Sequence, residues 1–188
     1  DYDNLIKYKT DLKKYTLGYT TIQYLYMRSF FPEYKIAAAS MTAYTYFRGR
    51  TQQSWVGQSK YMQGMIALAL HRSNDIVTPK AIIKSLKENS INKEEMGMYW
   101  KEWTTGGYYW HQAPIESQAM MIEAFMDIDK NNNTVDDLKT WLLKQKQTTN
   151  WKSTKATAEA CYALLLQGSN WVQANQTVAI QAGSWKVE

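Results

Sequence analysis

The sequence predicts an all-α protein, an α/α toroid built as a partial ring of inner and outer helical hairpins, with a short β-like C-terminal tail. The first observation behind this prediction is a repeat in which an aromatic residue stands eight positions before an amide or acid that opens an apolar helical run. The four pairs are Tyr15 with Gln23, Trp55 with Gln63, Trp110 with Gln118, and Trp151 with Glu159. Successive aromatic residues are 40, 55 and 41 positions apart. Self-similarity at this period is typical of helical hairpins that bury their apolar faces against neighbouring units.

The second observation is the alternation of two kinds of helix. A helix that is apolar on most sides follows each repeat marker, and the segment after it is amphipathic. The helices expected to be inner are the four that carry the repeat, and the expected outer ones cover residues 34–48, 79–89 and 135–147. A helix that is apolar all round is buried, whereas an amphipathic one has a face in water. Two concentric layers satisfy both patterns, with an open superhelical array as the alternative.

Hydrophobic spacing and punctuation residues place the individual elements. We predict helices over residues 4–15, 18–31, 34–48, 56–72, 79–89, 114–129, 135–147 and 153–167. Pro32 ends the second of these helices and Gly49 ends the third. Thr78 is expected to cap the helix that begins at Pro79.

Two segments break the helical pattern. Residues 91–112 hold three glycines amid many aromatic side chains, which predicts an inserted loop and accounts for the 55-residue spacing. After Trp171, residues 177–182 alternate between polar and apolar and a turn is expected at Gly183, which is typical of strands. We therefore predict a toroid segment over residues 1–171 and the start of a following β element over residues 172–188.

Composition bounds the class of protein. The chain has 188 residues, of which 45% are hydrophobic and 21% charged, as in ordinary globular domains. No apolar stretch reaches the roughly 18 residues that a membrane span needs. The formal charge of +5 comes from lysines spread over several helices rather than from one basic stripe, so nucleic acid is not an expected partner. The single cysteine excludes an internal disulfide and a multi-cysteine metal site.

The segment from Leu138 to Trp171 carries a family resemblance. It reads LKTWLLKQKQTTNWKSTKATAEACYALLLQGSNW. This resembles the closing hairpin of the thioester-domain toroid in the alpha-2-macroglobulin family, where a WLLKQ-Q segment ends an outer helix, a Trp occupies a tight turn, and an ST–AT-A–ALL pattern forms the inner helix. Residues 110–125 (WHQAPIESQAMMIEAF) and 23–31 (QYLYMRSFF) resemble the large bacterial, particularly Bacteroidetes-type, members. The resemblance covers most of residues 15–171.

The resemblance implies a function. Members of the family are long multidomain inhibitors of endopeptidases, in which cleavage of a bait segment triggers a conformational collapse that traps the protease. Many add a thioester, formed by a Cys-Gly-Glu-Gln motif, but here Cys161 stands in Glu-Ala-Cys-Tyr-Ala. The resemblance thus implies a non-catalytic helical domain without a cofactor, docked on neighbouring β domains of the same chain. It also implies that target proteases are partners of the full-length protein, in the bacterial periplasm or outer envelope.

An aromatic binding surface is the alternative hypothesis. Its candidate residues are Trp100, Trp103, Tyr108, Tyr109, Trp110 and His111. Aromatic rings with polar edges stack on ligands. Glu116 and Glu123 lie seven apart on one helix, and paired carboxylates run glycoside hydrolysis when about 5 to 10 Å apart across a cleft. This hypothesis makes the chain a secreted glycan-binding or glycan-processing toroid, and a helical scaffold for protein partners is the third alternative.

Two of the repeat positions predict packing roles. Cys161 occupies the slot that Met65 and Met120 fill in the other copies, so we expect it to be a buried, small hydrophobic residue. Gln118 and Glu159 also share a slot, and we expect both to bond backbone or side-chain groups between helices.

A calcium-like pattern at Asp127, Asp129 and Asn131 is incomplete. Asn132 stands where a calcium loop requires glycine, and Leu138 stands where it requires a carboxylate. A turn between helices explains these residues better, so no metal site and no catalytic residue are predicted.

Overall fold

Most of the described chain is helical, as predicted. The computed structural model describes residues 1–104, 113–148 and 150–166, together with the backbone of residues 180–182 and 185–187. The helices are α1 (Tyr2–Lys7), α2 (Tyr19–Arg28), α3 (Met41–Ser54), α4 (Lys60–Arg72), α5 (Val77–Glu88), α6 (Pro114–Ile128), α7 (Asn132–Thr148) and α8 (Thr154–Leu165). None of these described helices is long and apolar enough to cross a membrane.

The four helices that follow the repeat markers pack side by side. Helix α2 contacts α4, α4 contacts α6, and α6 contacts α8. We call these four helices the first row. Helix α5 packs on α4 and α7 packs on α6, while α3 touches both α2 and α4. These three helices form the second row, so successive helices from α2 to α8 alternate between the rows.

Ion pairs show that α4, α6 and α8 of the first row run in the same direction. Arg72 at the C-terminus of α4 pairs with Glu123 and Asp127 in the second half of α6. Lys155 in the first turn of α8 lies near Glu116 in the first turn of α6. Matching ends therefore meet, and the second-row helices return the chain to its starting end.

The middle of the first row forms the core. Helices α4 and α6 have neighbours on both sides in their own row and a second-row helix behind them. Their fully buried side chains include Ile66, Leu68, Leu70, Met121, Ile122 and Phe125. Each such side chain stabilises the fold by about 1.5–3 kcal/mol. The two helices are in close contact at Gly64, where an added Cβ would lie 2.9 Å from the Met120 Cγ atom.

The segment predicted as a loop begins with a β-hairpin. Strands β1 (Ile91–Lys93) and β2 (Gly97–Tyr99) pair antiparallel, and a 3-10 turn follows over Lys101–Thr104. Gly97 has a φ of +72°, and an added Cβ would collide with the Asp137 carbonyl oxygen of α7. Glycine is required here because no other residue combines this backbone conformation with so close an approach.

Several predicted helix boundaries were wrong. Helix α3 begins at Met41 rather than at residue 34, after a 3-10 turn over Ala38–Ser40. The first helix ends at Lys7 rather than near residue 15, and Lys9 adopts a left-handed φ of 50°. Helix α3 continues through Gly49 to Ser54, because a mid-helix glycine costs only about 1 kcal/mol relative to alanine.

The cap of α5 also differs from the prediction. Thr78 lies inside the helix, and Asp75 caps it, since its Oδ1 atom accepts from the backbone N–H of Val77 at 3.0 Å and of Thr78 at 3.1 Å. At α8 the predicted start is confirmed, with Ser153 Oγ accepting from the Ala156 N–H at 3.0 Å.

The predicted β-like character near the C-terminus is confirmed in the backbone. Strand β3 (Ile180–Ala182) pairs antiparallel with β4 (Trp185–Val187), and Ala182 lies opposite Trp185. The division of the chain at residue 171 stays a prediction.

Candidate functional site

The first row of helices borders a cleft to which all four contribute side chains. Its narrower part is a half-open pocket of about 160 Å³, lined by Tyr26, Tyr61, Ala119, Met120, Glu123, Glu159 and Tyr162. A wider cavity of about 500 Å³ shares Tyr26, Tyr61 and Glu159 and adds other side chains of α2, α4 and α8, among them Gln23 and Lys155. We call the two cavities together the four-helix cleft. Because α2 and α8 both line it, the first row bends around it.

Helical spacing brings the polar side chains to the cleft. Residues three, four or seven positions apart share one face of a helix. On α8 this rule groups Lys155, Glu159 and Tyr162. On α6 it groups Glu116 with Glu123. The polar residues therefore form stripes along helices that are otherwise apolar.

One cluster in the cleft is built around Glu123, which is only 3% exposed. The Arg72 Nη2 atom lies 2.7 Å from Glu123 Oε1 and 2.7 Å from Asp127 Oδ2. The Tyr26 hydroxyl donates to Glu123 Oε2 at 2.7 Å. The Arg72 guanidinium also lies over the Phe30 ring, 4.5 Å from its centroid. A buried carboxylate is tolerated only with such partners, so this cluster ties α2, α4 and α6 together.

A second cluster is built around Lys155. Its Nζ atom lies 2.8 Å from Glu159 Oε1 on the same helix and 4.0 Å from Glu116 Oε1 on α6. Glu116 is 7% exposed, whereas about a third of the Glu159 side chain is exposed. Two glutamates from neighbouring helices therefore face a single ammonium group.

Burial and the nearby carboxylates keep the tyrosines of the cleft protonated. Burial raises the pKa of Tyr26, and the negative charge of Glu123 raises it further. Burial and Glu159 raise the pKa values of Tyr61 and Tyr19 in the same way, although a hydrogen bond with Gln23 partly offsets the rise at Tyr19. These hydroxyls are therefore neutral hydrogen-bonding groups at physiological pH, and their rings are available for stacking.

The guanidinium of the first cluster is held in its charged form. Burial lowers the pKa of Arg72, but hydrogen bonds to Glu123 and Asp127 outweigh burial and raise the pKa above its ordinary value. The arrangement is one of fixed charges, neutral phenols and aromatic faces, which suits the binding of a polar ligand.

The predicted aromatic surface is only partly described. Trp100 is fully buried, and its Nε1 donates to the Leu86 carbonyl oxygen at 2.9 Å. Trp103 is 7% exposed, and its ring centroid lies 4.5 Å from that of Trp100 and 5.8 Å from that of Trp141. These two tryptophans belong to the core, not to an exposed surface, because the hairpin turns them inward onto α5 and α7. The other four candidates, Tyr108, Tyr109, Trp110 and His111, lie outside the described residues.

Gln118 bonds between elements, as predicted. Its Nε2 atom donates to the carbonyl oxygens of Met98 and Leu138, both at 2.8 Å. It therefore fixes the hairpin and α7 against α6. Glu159, its counterpart in the repeat, instead pairs with Lys155 within its own helix and lines the cleft.

Cys161 was predicted to be buried, and it is exposed. Helix α8 buries Ala156, Ala160 and Ala163 and packs on α6, so the residue after Ala160 lies off the packed face. Met65 and Met120 are buried in the same slot because their helices have neighbours on both sides.

The residues of the calcium-like pattern bond to other groups of the protein. Asp127 pairs with Arg72, Asp129 lies 3.4 Å from Lys87, and the Asn131 Oδ1 atom accepts from the Thr134 N–H at 3.0 Å. Within the part of the chain that the structure describes, no group of three or more His, Cys, Asp or Glu side chains is arranged to hold a metal ion.

Arg72, Tyr26, Tyr61 and Tyr162 were not predicted from the sequence as parts of a site. A signal was present, because each stands in or at the end of a helix predicted to be apolar and inner. Ionisable groups on such a helix need partners on its neighbours. The sequence did not show which neighbours those are.

No family model matches the chain, and neither the curated proteins nor the solved structures include a match.

Proposed function

We propose that this chain is the helical domain of an alpha-2-macroglobulin-like endopeptidase inhibitor and that the domain itself is non-catalytic. The observation that carries the proposal is the hairpin of α7 and α8, the segment that resembles this family. Trp141 of the WLLKQ segment is 2% exposed, and the Trp151 Nε1 donates to the Leu142 carbonyl oxygen at 3.4 Å. Of the two tryptophans in the resemblance, Trp151 ties the turn after α7 back to that helix, and Trp141 packs against Tyr99 and Trp103.

The arrangement of the rows supports the finer proposal of an α/α toroid. Helices alternate between two rows, the first-row helices α4, α6 and α8 run parallel, and the first row bends so that α2 and α8 line one cavity. We propose that the chain forms an arc of a toroid, with the first row on the inside.

The proposed mechanism is mechanical. Cleavage of a bait segment elsewhere in the protein releases a conformational change, and the helical domain moves with the β domains on which it docks. Cys161 lacks the Gly-Glu-Gln that a thioester motif needs, so we propose that this helical segment supplies no thioester chemistry of its own. The proposed location is the periplasm or outer envelope of a bacterium.

The glycan hypothesis has lost support. Two of its six candidate residues, Trp100 and Trp103, are core residues. The remaining four lie outside the described residues.

Substrate size provides the test. The full-length protein is mixed with an endopeptidase, and digestion of a large protein substrate is compared with digestion of a short chromogenic peptide. A trapped protease is shielded from large substrates but remains open to small ones, so we expect protein digestion to slow while peptide cleavage continues. Heat-denatured protein is the control. If the protein slows neither the digestion of the protein substrate nor the cleavage of the peptide, the proposal is contradicted.

A further inference from the structure

We propose that a pocket between α1, α2 and α3 binds a neutral carbohydrate. This inference goes beyond the proposed function and does not rest on it. The pocket has a volume of about 450 Å³. Sites for small molecules span about 300–1,000 Å³, so a mono- or disaccharide fits this volume. The pocket borders the four-helix cleft at Thr20 and Tyr24, and its described lining includes none of the residues of the aromatic surface predicted from the sequence.

Packed helices form most of the pocket. Leu25 of α2 and Phe47 of α3 line it and are both buried, so its apolar wall belongs to the core. The Tyr2 ring of α1 lies 6.2 Å from the Phe47 ring and 5.2 Å from the Tyr46 ring, measured between ring centroids. These aromatic contacts hold α1 against α3. The first turn of α3 and the 3-10 turn before it complete the wall.

Hydroxyl groups supply most of the polar wall. Helix α2 contributes those of Thr20, Thr21 and Tyr24, and α3 contributes those of Thr42 and Tyr44. Within the described part of the chain, none of these five hydroxyl groups makes a hydrogen bond to the protein. Thr21 is only 8% exposed, so protein surrounds most of this residue while its hydroxyl group has no partner there. The pocket therefore brings together several groups that are free to donate and to accept hydrogen bonds.

Two hydroxyl groups of α3 outside the pocket show the contrast. The Thr51 Oγ1 atom donates to the Arg48 carbonyl oxygen at 2.7 Å, and the Tyr46 hydroxyl donates to the Leu12 carbonyl oxygen at 2.9 Å. Polar side chains that are largely removed from water usually bond to the protein in this way. Thr21 departs from this rule, and a ligand with hydrogen-bonding groups would supply the partner that it lacks.

The wall disfavours three other classes of ligand. Its charged side chains are the acidic Asp1 and Asp3, and the described lining holds no basic side chain, so an anion would meet repulsion without a compensating cation. An apolar ligand would remove the hydroxyl groups from water without replacing their hydrogen bonds. A protonated amine donates but does not accept, so it would leave the hydroxyl protons of Thr21 and Tyr44 without an acceptor.

A neutral sugar meets all of these requirements. Its hydroxyl groups donate and accept, as the threonine and tyrosine hydroxyls of the wall do. The Asp3 carboxylate accepts hydrogen bonds, and such charge-assisted bonds are stronger than those between neutral groups. The rings of Tyr24 and Tyr44 offer apolar faces on which the C–H groups of a sugar can pack. The ligand class that fits the pocket is therefore a neutral mono- or disaccharide.

Saturation-transfer NMR of the full-length protein tests the inference with named sugars. The probes are glucose, N-acetylglucosamine, maltose and cellobiose, and the controls are glycerol and the anion glucuronate. We expect at least one of the neutral sugars to bind saturably and more tightly than either control. Added salt should leave its affinity within about twofold, because a neutral ligand carries no charge to screen. Lack of binding by all of these sugars, or equal binding of either control, overturns the proposal.

Two matched tyrosines on α3 locate the binding. Tyr44→Phe removes a hydroxyl group that lines the pocket and has no partner in the described protein, whereas Tyr46→Phe removes one that bonds the Leu12 carbonyl oxygen. We expect Tyr44→Phe to weaken sugar binding about fivefold and to leave the midpoint of thermal unfolding unchanged. Tyr46→Phe should lower that midpoint and keep the affinity within about twofold.

Two exposed tyrosines test whether the sugar packs on a ring. Tyr24 lines the pocket, whereas Tyr34 is exposed outside it. Tyr24→Ala should weaken binding about fivefold or more, and Tyr34→Ala should leave it within about twofold. The proposal is overturned if Tyr44→Phe binds the sugar as tightly as Tyr46→Phe does, or if the two alanine variants weaken binding equally.

Discussion

Glu123 shows how single residues join the first row of helices. Its carboxylate is almost completely buried and is held by Arg72 from α4 and Tyr26 from α2. Surface ion pairs contribute little to stability, but removing one partner of a buried pair leaves a charge without compensation. The stability of the row therefore depends on a few polar residues in an otherwise apolar layer.

Removing the Arg72 guanidinium tests how far the stability of the first row depends on this cluster. We expect Arg72→Ala to destabilise the fold by about 3–5 kcal/mol, because Glu123 then stays buried without its cation. The exposed pair of Lys84 and Glu88 provides the control, and Lys84→Ala should cost no more than about 0.5 kcal/mol. Urea unfolding followed by circular dichroism measures both. Equal, small effects of the two variants would contradict the role given to Arg72.

The elements show how much of the fold was predictable. Apolar periodicity placed the helices, because burial of one face or of every face leaves a pattern in the sequence. The hairpin of β1 and β2 was missed, since its three-residue strands are too short for alternation to be visible. The prediction that Trp100 lies on a surface was therefore wrong. The burial of Cys161 was predicted wrongly because the repeat shows which position of a helix a residue occupies. It does not show how many neighbouring helices cover that position.

Glycine substitutions test the close contact between the hairpin and α7. Gly97→Ala should destabilise the protein by more than about 1 kcal/mol, because its φ is positive and its Cβ meets the Asp137 carbonyl oxygen. Gly49→Ala is the control, since Gly49 lies within α3 with nothing within 4 Å of an added Cβ. That change should stabilise the protein by about 0.5–1 kcal/mol. Thermal unfolding distinguishes the two, and a stabilising Gly97→Ala would show that the hairpin does not pack as described.

The cap of α5 predicts a pH dependence. Burial raises the pKa of Asp75, but hydrogen bonds from Gln52 and from the N–H groups of Thr78 and Val77 outweigh it, so the pKa lies below its ordinary value. A carboxyl group with a lowered pKa stabilises the fold fully above its unfolded pKa of about 3.9 and loses this effect as pH falls through the folded pKa.

Replacing Asp75 with asparagine distinguishes the effect of the carboxylate charge from the effect of the capping hydrogen bonds. Asp75→Asn keeps a capping side chain but does not titrate. We expect the wild type to lose more stability than this variant between about pH 5 and about pH 2. This range brackets the ordinary carboxyl pKa of about 3.9. Urea unfolding at each pH measures the difference. Parallel stability curves for the two proteins would contradict the assignment of Asp75 as a charged cap.

At the scale of the whole molecule, the sequence suggested a family and an architecture but not the cleft. The repeat and the α7–α8 segment were recognisable because each is a local sequence pattern within consecutive helices. The four-helix cleft depends on side chains from helices that are distant in sequence, such as Tyr26 and Tyr162. Their meeting is a consequence of how the row bends, which no local pattern encodes.

We propose that this helical domain belongs to a protein that traps proteases by changing shape. Small-angle X-ray scattering of the full-length protein, before and after limited cleavage by an endopeptidase, tests it most directly. We predict that a single cleavage reduces the radius of gyration while the cleaved protein stays in one particle that retains the protease. An unchanged radius, or separation into independent fragments without bound protease, would contradict the claim.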